Sequence, residues 1–131
     1  MSTPDTETVA SIRSVVTPAL TARALADGDA EQLPQMFATP FMIALMERAC
    51  AQLLAPLLKP GELSVGARIE VAHLAPTAIG SAVVCRARFV EVQGPLFWFD
   101  VWAEDERRRI GKGRIARAIV ADSELAARTG A

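Results

Sequence analysis

The chain has 131 residues, 51% of them apolar and 22% charged, and its 14 Lys and Arg against 15 Asp and Glu leave a formal net charge of −1. That length suits a single domain, 1–131, with one core, and the near-balance of charge excludes the basic surface on which nucleic-acid binding depends. No apolar run approaches the roughly 18 residues that span a bilayer, so no membrane association is expected, and the apolar surplus is expected between subunits.

In chain order, the opening "MSTPDTETVA" has neither a basic n-region nor an apolar h-region and reads as a short unordered lead, not an export signal. A chain expected in the cytoplasm keeps its thiols reduced, so Cys50 and Cys85 read as small free core residues. Residues 12–17 suit a short first strand ended by Pro18, and 19–36 a loop or short helix. Thr39-Pro40 then marks a helix start, because a threonine hydroxyl can cap free amides and proline has no amide to leave unpaired. The helix should run over 40–55, before Pro56, and it is apolar on almost every side, the pattern of a buried helix. Past the turn at Lys59 to Gly61 the texture changes to alternation, predicting strands over 62–75, 81–92, 96–103 and 110–120. They are joined by a loop at 76–80, a tight connection at 93–95 and a charged hairpin turn at 104–109. Residues 1–10 and 123–131 are expected to be poorly ordered. One long buried helix against an antiparallel sheet of about five strands is an α+β arrangement of the hotdog kind, with the sheet wrapped around the helix.

Several polar residues stand in apolar phase. Val65, Ala67, Ile69, Val71, His73 and Ala75 alternate onto one face and Arg68 and Glu70 onto the other, so the chain's one histidine points with the apolar set. It is either a satisfied core histidine or a proton-transfer group that titrates near neutrality. Glu47 interrupts the apolar helix, either within an exposed stripe with Arg48 and Gln52 or as a poorly solvated carboxylate fit to act as base or nucleophile. Thr39 precedes it by about 12 Å along the helix axis and about 80° around it. The two can line the ends of one cleft without touching inside one chain, and Thr39 can equally be a cap and nothing more. Arg117 shares strand phase with Ile115 and Ile119, and a buried guanidinium requires a partner: Glu47, or an anionic ligand group. Gly111 and Gly113 share that phase and Gly66 opens the His73 strand, each leaving bare backbone where a neighbour can approach. Arg107 to Arg109 read as a solvated turn, and Phe97, Trp98, Phe99 and Trp102 as core and interface. No metal-ligand spacing, phosphate-cradling glycine motif or dinucleotide fingerprint occurs, so neither metal nor cofactor is expected.

The run "MFATPFMIALMERACAQLLAPLLKPGELSVGARIEVAHLAPTAIG", Met36 through Gly80, resembles the core of the fluoroacetyl-CoA thioesterase family, a branch of the hotdog-fold thioesterases. The likeness continues through "IGKGRIARAIV" and covers about 16–120. It implies a working threonine just before the helix, a glutamate within it and a histidine on the following strand, which fall on Thr39, Glu47 and His73. Gly66 and Arg117 match the family's substrate-binding glycine and arginine. What the resemblance implies is hydrolysis of an acyl-CoA thioester with a short or small acyl group, by a homodimer or higher homo-oligomer with clefts between subunits. Two stretches depart from the pattern. "DAEQLP" stands at 29–34, where the fluoroacetyl-specialised enzyme has lid phenylalanines, and Pro40 stands where it has glycine. Small-acyl chemistry is therefore implied, with fluorine selectivity left open. The competing reading is a non-catalytic hotdog module that binds acyl-CoA or serves as a scaffold, with Glu47 and Arg117 as a structural pair. A hydratase on the same fold matches these residues less well.

Overall fold

The alternating segments form one antiparallel sheet in the computed structural model, which describes residues 2–130. Its strands are β1 (Val9–Val15), β2 (Glu62–His73), β3 (Ala82–Gln93), β4 (Leu96–Asp105) and β5 (Arg109–Ala121), in spatial order β1-β3-β4-β5-β2. All four neighbouring pairs are antiparallel; short turns join β3 to β4 and β4 to β5, whereas β1–β3 and β2–β5 pair across long stretches of chain. One edge of the sheet is therefore the 12-residue β2.

Between β1 and β2 the chain forms the four-residue α1 (Ala22–Leu25), flanked by 3-10 turns, and then the long helix α2 (Thr39–Leu54). Met42, Met46, Ala49, Cys50 and Leu54 recur at three- and four-residue spacing and are fully buried. They pack against Val83, Cys85, Phe99, Val101 and Ile115 of the sheet, and each large side chain withdrawn from water stabilises the fold by about 2 kcal/mol. Gly111 lets the helix settle onto β5, because a Cβ there would lie 2.6 Å from the Met42 sulfur. This is the expected α+β hotdog arrangement. Both cysteines are free and buried, and burial pushes each thiol up to about 12. No helix among the described residues is long and apolar enough to cross a membrane.

The structure differs from the sequence reading in four places. Within one chain α2 is not buried on every side, since Ala44, Arg48 and Gln52 form an open strip. Thr39 is the first helical residue and not its cap: Ala38 holds the cap position, with no side-chain bond. The capping threonine is Thr21, whose hydroxyl accepts from the Ala24 amide at the start of α1. At the two ends, Val9 and Ala10 already belong to β1, and Asp122–Thr129 forms a helix, α3, with Asp122 and Glu124 in its first turn and Gly130 at φ 72° closing it.

The fourth difference decides the site. The β2–β5 register steps from Gly66 opposite Arg117 to Arg68 opposite Ala116, leaving Ala67 as the extra residue of a bulge. Uniform alternation would group Val65 and Ala67 with His73. The bulge instead reverses the phase, so that Ser64 and Gly66 share the helix-facing side with Ile69, Val71 and His73.

Candidate active site

Two polar stations lie along the line where α2 crosses the β2–β5 end of the sheet. At the first, the Thr39 Oγ1 and His73 Nδ1 are 2.7 Å apart. Freed from capping, the hydroxyl at the first turn of α2 faces the last residue of β2. Burial lowers the pKa of His73 below its ordinary value, with a backbone contact to Ala75 working weakly the other way. The ring is accordingly neutral at neutral pH. The contact can run in either direction with the ring tautomer; the one that lets His73 act as a base has the threonine hydroxyl donating to Nδ1 and the proton on Nε2, which is buried and has no partner among the described residues. Pro40 carries no N–H, and the Phe41 and Met42 amides both return to the Ala38 carbonyl at 3.1 Å. That leaves the Thr39 amide, alone in the first turn among the described residues, as a donor without a backbone acceptor, beside the positive end of the helix dipole.

At the second station, one helical stretch of about 12 Å further on, Arg117 donates to Glu47 Oε2 at 3.0 Å. Its other nitrogens donate to the Ser64 hydroxyl at 3.2 Å and the Ser64 carbonyl at 2.8 Å. Arg117 is 9% exposed, so this full set of acceptors is what makes a guanidinium tolerable there. Gly66 completes the cluster, because a Cβ on it would overlap the Glu47 carboxylate. Gly66→Ala is therefore expected to push the carboxylate off Arg117 and to lower the unfolding free energy by about 1 kcal/mol. In urea titrations the same substitution should cost markedly less in a Glu47→Ala background, since the two residues are coupled.

All five residues marked in the sequence thus fall on this line, but the structure joins them as two pairs and not as one constellation. Thr39 meets His73, and Glu47 meets Arg117 over Gly66; Glu47 does not reach the first pair within its own chain. Ser64 is the site residue that sequence reasoning missed, and the bulge is the reason, since simple alternation places it on the other face. A groove of about 710 Å³ on the outer face of the sheet contains none of these residues. It is spanned by the Arg88–Asp100–Arg114 ion pairs, each at 3.2 Å.

Chemically, a neutral imidazole hydrogen-bonded to a hydroxyl beside a free helix-terminal amide can take a proton and steady a developing oxyanion. The family model described as fluoroacetyl-CoA-specific thioesterase matches residues 16–123. The fluoroacetyl-CoA thioesterase of Streptantibioticus cattleyicolor is 42% identical over 89 residues, a match that spans 68% of this chain and 64% of that relative's length. A solved structure of the fluoroacetyl-CoA thioesterase FlK superposes with a TM-score of 0.88 at 35% identity, covering 99% of this chain and 96% of that one. A point variant of FlK in complex with fluoroacetate and CoA gives a TM-score of 0.85 at 35% identity, covering 95% and 99%. The chain belongs to the fluoroacetyl-CoA-specific thioesterase family.

Proposed function

We propose that the protein hydrolyses the thioester of a small acyl-CoA to the free acid and CoA, with Thr39, His73 and Glu47 as catalytic residues and Gly66 and Arg117 shaping the binding cleft. The observation that carries this reading is the 2.7 Å contact between Thr39 Oγ1 and His73 Nδ1 at the start of α2. The thioester carbonyl oxygen sits at the Thr39 amide, which donates to it as negative charge develops. His73 accepts the hydroxyl proton as Thr39 Oγ1 attacks the carbonyl carbon, and the C–S bond breaks to release the CoA thiolate, which takes that proton. Water then repeats the attack on the acyl-threonine, with His73 again as base, and returns the free acid and the Thr39 hydroxyl. Thiolate is a good leaving group, so a single imidazole suffices.

Glu47 enters this scheme from a second copy. Leu63 and Ile69 on β2, and Leu74 and Ile79 just after it, are 42–52% exposed, and a long apolar strand edge is a surface that a folded protein covers. A homodimer built on the β2 edge covers it and brings the partner's acidic station toward the Thr39–His73 pair, where its carboxylate orients water. The size of the acyl group follows the relatives, one of which was crystallised with fluoroacetate and CoA. The two buried free thiols suit the cytoplasm.

A panel of acyl-CoA esters, read by release of the free thiol, tests the activity. Turnover is expected to be fastest on acetyl-sized groups and to fall as the chain lengthens. The Glu47–Arg117 ion pair favours one rival, the acyl-CoA-binding module without chemistry. Saturable binding of the same esters with no thiol released on any of them would establish that rival instead.

A further inference from the structure

We propose that Thr77 and Asp105, which belong to neither station, are positioning residues that hold Thr39 against His73; the proposal rests on the reading of that pair as the reacting centre. The two reacting side chains are separated by 34 residues, and what connects them physically is the loop at 74–80. His73 is the residue just before this loop, and the Leu74 and Ala75 amides donate to the Ile110 carbonyl at 2.7 and 3.3 Å, anchoring its start to β5. Its middle carries the segment that leads into α2: the Phe37 amide donates to the Thr77 carbonyl at 2.9 Å, and Met36 bridges Ala78. Thr39 is two residues further on.

Thr77 is a polar residue only 2% exposed, and its hydroxyl donates to Asp105 Oδ2 at 2.9 Å. The other oxygen of Asp105 accepts the amides of Arg107 and Arg108 at 2.8 and 3.0 Å. One carboxylate therefore ties the β4–β5 hairpin turn to the loop that carries both halves of the pair. Burial opposes its charge, yet the Arg107 amide, the Thr77 hydroxyl and the Arg108 amide together hold its carboxyl below the usual range, so the tie persists at neutral pH. Without it, the loop keeps its backbone bonds but loses its one side-chain anchor to the hairpin. The Phe37–Thr39 segment then shifts relative to His73.

Three variants separate positioning from mere support of the fold. Thr77→Val keeps the shape and removes the hydroxyl. Asp105→Ser can still accept the turn amides but is too short to reach Thr77. Thr77→Ser keeps the donor and serves as the rescue. Thr77→Val and Asp105→Ser should each lower kcat by about tenfold with KM changed by less than about twofold, while Thr77→Ser stays near wild type. Because His73 is the only histidine, its two ring-nitrogen chemical shifts report the tautomer directly. They should be well separated in the wild type and in Thr77→Ser, and drawn together in the two broken variants. If wild type turns over no acyl-CoA, the catalytic reading fails while the nitrogen shifts still decide the positioning. Unchanged shifts and unchanged kcat, with only a lowered Tm, would overturn the proposal.

Discussion

His73→Ala is expected to lower kcat by about a thousandfold and to leave KM nearly unchanged, because in the proposed mechanism the imidazole acts on a proton in the transition state and not on the bound CoA. Thr39→Val should do nearly as much harm. It keeps the β-branched shape at the first position of α2, and no capping bond is lost, since Ala38 occupies the cap and Thr39 makes no bond to the helix amides. The fold should therefore survive the change, with Tm as the control. The two groups are 2.7 Å apart and in the proposed mechanism act as one unit, so the double variant should be no slower than the worse single one. Additive losses would mean that the hydroxyl and the ring serve separate steps. The pH profile follows from the direction of the His73 shift. A base must be neutral to work, and burial lowers the pKa of this ring. Activity should hold as pH falls through the ordinary histidine midpoint of about 6.5 and be lost only below it. An inflection above that midpoint would assign the base to another group.

Local rules sufficed where the decisive interactions are local. Pro56 and the turn at Lys59 to Gly61 end the helix and start the sheet in the sequence as in the structure, and α2 differs from its expected bounds by a residue at each end. The Glu47–Arg117 pair was also legible, since two opposite charges in apolar phase can be tolerated only together. Thr39 shows where local reasoning stops. A threonine before Pro40 is a cap by every nearby signal, and what takes its hydroxyl away is a histidine 34 residues distant. The β2 bulge fails for the same reason. Gly66 in "SVGAR" marks a place where the strand can bulge or be closely approached, but whether it bulges is set by pairing with β5 and by the space the Glu47 carboxylate needs over Gly66. Ser64 goes with it, because unbroken alternation from Val65 would turn it to the other face, away from Arg117.

The separation of the two stations leads to the second large effect. In one chain α2 runs antiparallel to β2, with Thr39 at the His73 end and Glu47 at the Gly66 end. A two-fold axis that pairs β2 with its copy through the free edge makes the two α2 helices antiparallel to each other. If the axis passes through Glu70, Gly66 of one copy stands opposite His73 of the other, with Ala67 left out of the count as the bulge, and each Glu47 is carried to the Thr39–His73 pair of its neighbour. Each cleft then draws its residues from both subunits. Thr39→Ala and Glu47→Ala homodimers should each be inactive to within about a hundredth of wild type. A heterodimer of the two, co-expressed under different affinity tags and purified through both, contains one cleft with Thr39, His73 and Glu47 all present. It should recover about half of the wild-type rate, as two-fold symmetry with one intact cleft of two requires. A heterodimer as dead as its parents would place all three residues in one subunit's cleft. In that case Glu47 would have to leave Arg117 and cross about 12 Å of its own helix to act, which the ion pair and the overhanging Gly66 backbone oppose.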